Sequence, residues 1–426
     1  MNIKWILAIS FIIFFIAEIT SQFTFNVIGD DQVYYYMGKL VAEGFTPYLD
    51  FFYAHPPLQL ILYGFILKFI PYSFHTFKVF FILLTIFNAY LLFLLAKREF
   101  GDKVAVLASI MALFAPTTLF NASFEYGLTI GLTLFLSALL VKNKALQLIL
   151  FELCVFYRFH FIFLILGYYA YEFVRFKSWK HCALFLILFL VINGLLAIIS
   201  TNYYTDTIYY HLHKPKDNLD SFIVWSTIIK MNFVLFLAPL SLLMLYPRKI
   251  KGVLKYLMIP LPFLLFMLKG TFFGYYFMVV VPFLAAISSY FLFSVGKKGI
   301  IIGVLAFAIG IISVIGIFNY QGAYAQPIEL NIPKDRVITG DPPMVSYISL
   351  AQGNPVLNND VDNNNMIYEE GIKNISRYIE EIRTHNSLVI IKPDEGLYVR
   401  IKEFKEFIDN CTLLNSKKEY LIKVCP

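Results

Sequence analysis

The sequence predicts a polytopic α-helical membrane protein with about 11 transmembrane helices, followed by a small C-terminal α/β domain. The first observation is the apolar content: hydrophobic residues make up 59% of the chain, and the mean hydropathy is +0.69. Values of this size are typical of chains with many membrane-spanning segments and not of soluble domains. The second is a series of small basic clusters between apolar segments, and the third is a change to soluble-domain composition from Tyr320 onward.

The charge distribution indicates how the apolar segments cross the membrane. Residues 320–426 carry 12 basic and 15 acidic side chains, whereas residues 1–319 carry 23 basic and 13 acidic ones. The basic surplus is divided into small clusters, which is typical of cytoplasmic loops and not of a nucleic-acid-binding surface. With these clusters inside, the N-terminus is cytoplasmic and the C-terminus is outside. The predicted spans run near 5–25, 76–96, 104–120, 127–141, 145–157, 161–174, 181–200, 222–246, 253–268, 275–294 and 300–318.

Three segments decide this topology. The first, Trp5 to Phe25, has no small-residue cleavage site, which favours a retained helix over a signal peptide. We interpret residues 145–174 as two short helices that meet outside at Arg158 and His160, because one continuous helix would place Arg158 inside the membrane. The segment LQLILYGFILKFI after Pro57 is short for a span, so we interpret it as an interfacial helix on the membrane surface.

The predicted outer loops hold the candidate functional residues. The first outer loop, residues 26–75, begins with the adjacent carboxylates Asp30 and Asp31, which are costly to hold near hydrocarbon. A short helix is predicted from Tyr34 to Gly44, and the sequence His-Pro-Pro follows at His55. The candidates in later outer segments are Glu125, Arg158, His160, His211, His213, Lys214, Lys269 and Tyr275.

The C-terminal part predicts a small α/β domain. The patterns VITG (337–340), LVII (388–391) and YLIKV (420–424) indicate buried strands, and residues 344–352, 366–383 and 399–410 have helical spacing. Cys411 and Cys425 can pair only if this domain is outside the cell. We therefore divide the chain into a membrane module, residues 1–319, and an extracytoplasmic domain, residues 320–426.

An external active site constrains the chemistry. Nucleotide sugars and ATP are cytoplasmic, so the available donors are lipid-linked, and many of them carry a sugar on a phosphate. Transfer from such a donor needs one carboxylate that takes a proton from the acceptor hydroxyl as it attacks the anomeric carbon. The leaving phosphate is a stable anion that needs cations rather than a general acid. This chemistry inverts the anomeric configuration, unlike the two-carboxylate mechanism of retaining glycosidases.

The stretch around the paired acids resembles the GT-C superfamily of polyprenyl-phosphate-sugar-dependent glycosyltransferases. The resemblance is to the branch of dolichyl-phosphate-mannose-protein mannosyltransferases and aminoarabinose transferases, including its archaeal-type members. It rests on Asp30-Asp31, a Tyr-rich short helix, Gly44 and the run from His55 to Leu58, and it covers roughly residues 25–220. The KREFGDK turn, Glu125 and HLHKP (211–215) extend it. The resemblance implies a GT-C-type fold and transfer of a sugar, expected to be a hexose such as mannose, from a polyprenyl or dolichyl phosphate.

Departures from the family pattern limit what is carried over. Asp31 stands where the family has Glu. Leu58-Gln59 follows the prolines where protein mannosyltransferases have Gly-Lys, which argues against a Ser/Thr protein acceptor. The second outer loop lacks the Asp-x-Asp with which oligosaccharyltransferases bind a metal, so no obligate metal or cofactor is expected. A divalent cation is still a possible ligand, because paired acids can recruit one.

Each candidate residue has a structural alternative beside its functional interpretation. Asp30 is the predicted base and Asp31 its support, but either could instead cap the helix that follows. Glu125 would position the acceptor or catalytic groups, or simply be wetted at the interface. Arg158 would grip phosphate with two hydrogen bonds, or extend to lipid headgroups. His55 would contact acceptor or phosphate, or hold the Pro-Pro turn. The remaining assignments are phosphate contacts, in preference to a metal site, for His211, His213 and Lys214, a phosphate ligand for Lys269, and substrate binding for His160 and Tyr275.

Two other classes of protein are compatible with parts of the sequence. A transporter or flippase of lipid-linked substrates predicts inverted repeats and charges at the membrane midplane, whereas here no repeat is found and the ionisable groups gather at one face. A non-catalytic membrane scaffold predicts that Asp30 serves binding and not turnover. We favour a glycosyltransferase in the cell membrane. Its predicted partners are the lipid-linked donor, an external glycan, lipid or protein acceptor and membrane lipids, without nucleic acid.

Overall fold

Helices form most of the structure. The computed structural model describes residues 3–25, 27–213, 218–269, 274–296, 312, 316, 332–363, 365–417 and 419–425. The helices before the C-terminal domain are α1 (Ile3–Thr24), α2 (Asp31–Ala42), α3 (Leu58–Phe69), α4 (Phe74–Phe100), α5 (Asp102–Leu113), α6 (Pro116–Asn121), α7 (Thr129–Leu140), α8 (Lys144–Tyr157), α9 (Phe161–Phe176), α10 (Lys180–Ile199), α11 (Asn202–Tyr204), α12 (Tyr210–His213), α13 (Asn218–Met231), α14 (Phe233–Leu245), α15 (Ile250–Met258), α16 (Leu261–Lys269) and α17 (Val281–Ser294). Shorter helical turns are Thr205–Tyr209, Pro247–Lys249 and Gly274–Val279.

The chain divides into two compact units. The membrane unit contains α1, α4 from Lys78 onward, α5 to α9, α10 up to Ile192, and α13 to α17. The loop unit contains the first long loop with α2 and α3, residues 193–213 with α11 and α12, and the C-terminal domain. The boundary expected between residues 319 and 320 lies outside the described residues, so the proposed division into two domains stays a prediction.

Long apolar helices make the chain an integral membrane protein. Within the described ranges, three helices are long and apolar enough to cross a membrane, namely Trp5–Thr24, Phe74–Phe100 and Lys180–Ile199. Two bent helix pairs raise this number to five if each pair is one span. The number of 11 spans stays a prediction, and most of the expected span at 300–318 lies outside the described residues.

The expected continuous span at 222–246 is broken. α13 and α14 meet at Asn232 at an angle of 84°, because Asn232 leaves the helical conformation (φ −108°, ψ 30°). Its side-chain amide donates to the hydroxyl of Thr117 at 2.7 Å and to the carbonyl of Ile228 at 3.0 Å. A buried amide that bonds to the preceding helical turn and to a neighbouring helix favours such a kink. The expected span at 253–268 is likewise bent by 64° at a break that contains Pro260.

The helical break at Arg158 is confirmed. α8 ends at Tyr157 and α9 begins at Phe161, so the segment 145–174 forms two helices. The side chain of Asn143 caps α8 by accepting hydrogen bonds from the backbone of Ala145 and Leu146. Arg158 therefore lies in a connection between helices, where its guanidinium can reach backbone groups of a neighbouring turn.

A four-stranded sheet forms the centre of the C-terminal domain. The strands β1 (Ile338–Gly340), β2 (Leu388–Ile391), β3 (Thr412–Lys417) and β4 (Tyr420–Val424) have the order β1-β2-β4-β3, in which only the first pair is parallel. The three expected strands are confirmed, whereas β3 was missed because TLLNSK is an exposed edge strand without a buried apolar run. The helices of the domain are α18 (Pro342–Gln352), α19 (Asn365–Glu369), α20 (Ile375–Thr384), α21 (Gly396–Arg400) and α22 (Lys402–Asp409).

A close contact between two helices positions the first long loop within the loop unit. A Cβ atom at Gly38 of α2 would lie 2.5 Å from the Cβ of Tyr63 in α3, and one at Gly64 would lie 2.7 Å from a methyl group of Val41. Glycine at both positions therefore lets the two backbones approach each other. α18 of the C-terminal domain packs on α2 as well. The expected helices after Asp30 and after Pro57 are both present, while the placement of α3 on a membrane surface stays a prediction.

Cys411 and Cys425 form a disulfide bond that closes a loop around the β3–β4 hairpin. The two residues are 14 positions apart, and a loop of this size is stabilised by about 3 kcal/mol through the reduced entropy of the unfolded chain. Replacing both cysteines by serine should therefore speed amide hydrogen exchange in β3 and β4 by about 100-fold, relative to α18 in the same protein. A reductant should reproduce the effect in the wild type and add nothing in the double variant. Equal exchange in all samples would show that the bond does not stabilise the hairpin.

Candidate active site

The two adjacent carboxylates differ in their surroundings. Asp31 is the first residue of α2 and is fully buried, whereas Asp30 precedes the helix and is exposed. Asp30 occupies the capping position, but its side chain makes no capping hydrogen bond. The structural alternative for Asp30, a helix cap, is therefore not realised. Asp31 lies near Tyr72, whose pKa is raised well above its ordinary value by burial and by the charge of Asp31.

Two histidines that are far apart in the sequence are stacked in the loop unit. The rings of His55 and His211 are 5.1 Å apart at an angle of 26°, and Nδ1 of His55 lies 3.3 Å from Nε2 of His211. Nε2 of His211 is also 2.7 Å from the carbonyl oxygen of Ala54. On the other side, Nε2 of His55 lies 3.4 Å from the hydroxyl of Tyr34, which is one helical turn after Asp30. The pair therefore connects residues 202–213 with the helix that begins at the paired acids.

The backbone around His55 is held by side chains from the same unit. The hydroxyl of Tyr48 donates to the carbonyl of His55 at 2.6 Å, and Asn202 donates to the carbonyl of Tyr48 at 2.9 Å. The backbone N–H of Tyr53 donates to Asp206 at 3.4 Å. These contacts fix the direction of the segment 48–55, so they position the imidazole of His55.

The C-terminal domain contributes to the same support. Phe52, Ala54, Tyr210 and Ile367 form one buried apolar cluster. The ammonium of Lys373 lies 5.4 Å from the ring centre of Phe52 and 2.5 Å from a carboxylate oxygen of Asp360. The first long loop and residues 202–213 thus both pack against the C-terminal domain next to the backbone of His55.

His213 does not join the histidine pair. Its side chain is exposed, and its ring stacks on Tyr209 of the preceding turn at 3.8 Å. Nδ1 of His213 lies 2.9 Å from the carbonyl of Tyr209. Its predicted phosphate contact therefore has no support from His55 or His211. Lys214, the third member of the predicted group, lies outside the described residues.

Asp206 is a buried acid that the sequence interpretation did not select. Burial raises its pKa from 3.8 to about 7. The hydrogen bond from the Tyr53 N–H and the charge of Lys373 lower the pKa, whereas the charges of Asp360 and Asp362 raise it further. The available signal was a carboxylate inside the aromatic run TNYYTDTIYY of a predicted outer loop. Its contacts identify it as a support for the His55 segment.

The raised pKa of Asp206 predicts a pH-dependent stability. Because the folded state binds more protons than the unfolded state between pH 3.8 and about 7, this carboxyl destabilises the fold as the pH rises through that window. The asparagine in Asp206→Asn keeps an oxygen that accepts the hydrogen bond from the Tyr53 N–H, but its side chain cannot ionise. The melting temperature of the variant relative to wild type should therefore be higher at pH 8 than at pH 5. The control for a lost carboxylate is Asp50→Asn, an exposed acid of the first loop, and a pH-independent difference for Asp206→Asn would contradict the account.

In the membrane unit, Glu125 is fully buried in the turn between α6 and α7. One carboxylate oxygen accepts from the hydroxyl of Tyr157 at 3.1 Å. The other has no hydrogen-bond partner among the described residues. Burial raises the pKa of Glu125 to about 7, although the hydrogen bond from Tyr157 and the charge of Arg158 lower it. The alternative of a wetted interfacial acid is therefore wrong, because the side chain has no exposed surface.

Arg158 is also buried, with 1% of its surface exposed. Its Nε and one terminal nitrogen both donate to the carbonyl of Tyr126, at 3.0 and 2.6 Å. Gly127, which has φ +79°, makes room for this arrangement because a Cβ there would lie 1.9 Å from Nε. The alternative of an arginine that extends to lipid headgroups is thus wrong. The guanidinium is instead seated against the turn that contains Glu125.

Aromatic rings continue from this turn. Tyr126 and Tyr275 are stacked at 4.2 Å, and Tyr275 lies 4.8 Å from Tyr276, which in turn lies 4.6 Å from His160. This row places the predicted residues His160 and Tyr275 beside Arg158. Sequence interpretation missed its other members, which are Lys78, Phe124, Tyr126 and Tyr276, with the Lys78 ammonium 3.6 Å from the Phe124 ring centre. Lys269 ends α16, and its side chain is outside the described part of the structure.

The structure therefore presents two groups of polar residues, described separately. The loop unit joins Tyr34, His55, His211 and Asp206 beside the helix of the paired acids, and the membrane unit joins Glu125, Arg158, His160 and Tyr275. In the described ranges, no three His, Cys, Asp or Glu side chains are arranged to hold a metal ion. The expectation of metal-independent chemistry stays a prediction.

Comparison with solved structures shows that the chain has a GT-C-type fold. The chain is similar to the crystal structure of ArnT, the aminoarabinose transferase of Cupriavidus metallidurans, bound to undecaprenyl phosphate. The TM-score is 0.66 at 8% sequence identity, over 99% of this chain and 98% of that chain. The apo structure of the same protein gives 0.65 at 11% identity, over 99% and 97%.

A second similarity is to the oligosaccharyltransferase of Archaeoglobus fulgidus, whose crystal structure has an acceptor peptide tethered by a disulfide bond. The TM-score is 0.52 at 12% identity, over 91% of this chain and 68% of that chain. No protein-family model matches the sequence, and no curated protein matches it. At these identities the comparisons establish the fold, while membership of the superfamily and the branch within it stay predictions.

Proposed function

We propose that the chain is an integral membrane glycosyltransferase that moves a sugar from a polyprenyl phosphate to an extracytoplasmic acceptor. The observation that carries the proposal is the exposed carboxylate of Asp30 at the start of α2 in a chain with the GT-C fold. An exposed carboxylate can take a proton from an acceptor hydroxyl, whereas the buried Asp31 is suited to a supporting role. The similarity to a transferase bound to undecaprenyl phosphate supports a lipid-linked donor.

The proposed reaction has one chemical step. Asp30 accepts the proton of the acceptor hydroxyl while the oxygen of that hydroxyl attacks the anomeric carbon. The bond from that carbon to the phosphate oxygen breaks, and its electron pair leaves with the polyprenyl phosphate. Attack and departure on opposite sides invert the anomeric centre. Because the negative charge on the phosphate grows as the bond breaks, hydrogen-bond donors that are already oriented lower the barrier most.

The proposed ligands of the phosphate follow from their chemistry. The Arg158 guanidinium is fixed by two hydrogen bonds to the carbonyl of Tyr126, so its orientation is set before a phosphate binds. The His55–His211 pair contributes to phosphate binding either directly or through the Tyr34 hydroxyl that His55 contacts. We assign His160, Lys214 and Lys269 to the same function by residue type. A hexose such as mannose and a site that faces outside the cell complete the proposal.

Reconstitution into liposomes with a radiolabelled polyprenyl-phosphate hexose tests this function. The proposal predicts that label leaves the donor and that free polyprenyl phosphate accumulates in step with labelled product. Movement of intact donor between the leaflets, without cleavage, would favour a flippase instead. Binding without either result, across hexose and pentose donors and in the presence of cell-envelope extract, would favour a non-catalytic scaffold.

A further inference from the structure

Hydrogen bonding fixes the tautomer of the two stacked histidines. A carbonyl oxygen only accepts hydrogen bonds, so His211 carries a hydrogen on the Nε2 that lies 2.7 Å from the oxygen of Ala54. The same nitrogen is 3.3 Å from Nδ1 of His55. A hydrogen on that Nδ1 would oppose the N–H of His211, so His55 carries its hydrogen on Nε2 when neutral.

This assignment sets the direction of the next hydrogen bond. Nε2 of His55 lies 3.4 Å from the hydroxyl of Tyr34, so His55 is the donor and Tyr34 the acceptor. The hydrogen of the Tyr34 hydroxyl is then directed away from His55. Each member of the chain thereby orients the next, from His211 through His55 to Tyr34.

Aromatic packing restricts the side chains of Tyr34 and His55. Tyr53 meets Tyr34 edge to face at 6.5 Å and meets His55 in the same way at 5.7 Å. Tyr53 is itself held, because its hydroxyl donates to Gln59 at 2.9 Å. Such packing limits the rotation of the Tyr34 ring, so the position of its hydroxyl oxygen is set before a ligand binds.

The series of hydrogen bonds from His211 through His55 ends at Tyr34, which is close in sequence to the proposed base, Asp30. Tyr34 follows Asp30 by four residues, and the Tyr34 N–H donates to the Asp30 carbonyl at 3.3 Å. Residues at this spacing lie on one face of a helix. Asp30 is exposed and Tyr34 is partly buried. The side chain of Tyr34 therefore lies on the same face of the helix as the proposed base.

We propose that Tyr34 donates a hydrogen bond to the phosphate of the polyprenyl-phosphate donor, in a direction set by His55 and His211. This inference rests on the proposed function and adds Tyr34 as a phosphate ligand with two positioning residues behind it. A neutral, oriented O–H group stabilises the charge that develops on the leaving phosphate without an added net charge. Its proton stays on Tyr34 throughout the reaction.

The test measures binding of undecaprenyl phosphate and of undecaprenol to the full chain in phosphatidylcholine nanodiscs. The phosphate groups of phosphatidylcholine are in excess in these nanodiscs. A higher affinity for undecaprenyl phosphate than for undecaprenol therefore reports a site that prefers the polyprenyl phosphate over ordinary lipid phosphate. Tyr34→Phe should weaken undecaprenyl-phosphate binding about tenfold and leave undecaprenol binding unchanged. Tyr204→Phe, at an exposed tyrosine of the same unit, is the control and should bind like wild type.

The positioning histidines are tested by side-chain geometry. Glutamine places its amide nitrogen near the Nε2 position of histidine, whereas asparagine reaches only the Nδ1 position. His55→Gln and His211→Gln should therefore retain most of the affinity, and His55→Asn should lose as much as Tyr34→Phe. In a Tyr34→Phe background, His55→Asn should cause no further loss, since its effect acts through Tyr34.

Three results would overturn this inference. Unchanged affinity of a folded Tyr34→Phe variant would remove Tyr34 as a ligand while leaving the proposed function standing. An equal loss from His55→Asn in both backgrounds would show that His55 acts without Tyr34. Wild-type protein that binds undecaprenyl phosphate no better than undecaprenol would overturn the inference and the proposed donor together.

Discussion

Asp30→Asn should lower sugar transfer by about 10²- to 10⁴-fold, because asparagine keeps the size of the side chain but cannot accept the acceptor's proton. Donor affinity should stay within about twofold of wild type, since Asp30 acts on the acceptor. The measurement is single-turnover release of polyprenyl phosphate in proteoliposomes, with donor binding measured on the same preparation. The loss should therefore appear in kcat and not in the affinity for the donor.

Two variants control this prediction. Glu43→Gln removes an exposed carboxylate just after the other end of α2 and should retain full turnover. Asp31→Asn alters the buried acid and should affect the melting temperature as well as activity. Full turnover by Asp30→Asn would remove Asp30 as the base and leave Asp31 or Glu125 in its place. A larger loss in a well-folded Asp31→Asn protein would assign the role to Asp31.

Gly127→Ala should lower transfer by about 10²-fold through displacement of Arg158. A Cβ at this position would lie 1.9 Å from Nε of Arg158, which is buried and bonded to the Tyr126 carbonyl, so the guanidinium has to leave its seat. The loss of one oriented donor at a developing anion typically costs 10²- to 10³-fold in rate. The measurement is kcat and donor affinity, together with thermal unfolding in detergent.

Gly101→Ala is a matched control for backbone strain. Gly101 has φ +85°, close to the +79° of Gly127, but no atom lies within 4 Å of a Cβ built there. Both substitutions should lower stability by about 1–3 kcal/mol, because alanine is strained in this conformation. Only Gly127→Ala should lower activity. Equal activity of the two variants would show that the seat of Arg158 is not needed for transfer.

Local sequence patterns predicted much of the loop unit. Alternation of buried strands with helical spacing gave β1, β2 and β4, and the short helix predicted from Tyr34 to Gly44 corresponds to α2, which runs from Asp31 to Ala42. The hairpin at Arg158 followed from the cost of a charge inside the membrane. These features depend on short stretches of chain, which is why one sequence suffices to predict them.

Long-range features were not predictable in the same way. His55 and His211 are 156 residues apart, and only the folded loop unit shows that they are stacked. The break at Asn232 depends on a hydrogen bond to Thr117 across 115 residues. Nothing in either local sequence specifies these partners, so periodicity predicted a straight helix at 222–246.

Two missed residues carried a usable signal. Lys78 lies in the second turn of the apolar helix α4, far from Lys97 and Arg98 in its last turn, and a buried cation in a membrane helix is a functional candidate by default. Asp206 is a single acid in an aromatic run. Neither residue belongs to a motif with a known spacing, so its role depends on contacts that only the folded structure shows.

The central claim is an inverting transfer from a lipid phosphate with one carboxylate as base. The most direct test determines the anomeric configuration of the transferred sugar, by NMR of the product formed by wild-type protein from a donor of defined configuration. The account predicts a product with the opposite configuration to the donor. A product with the donor's configuration would require a covalent intermediate or a second catalytic carboxylate, and it would contradict the role proposed for Asp30.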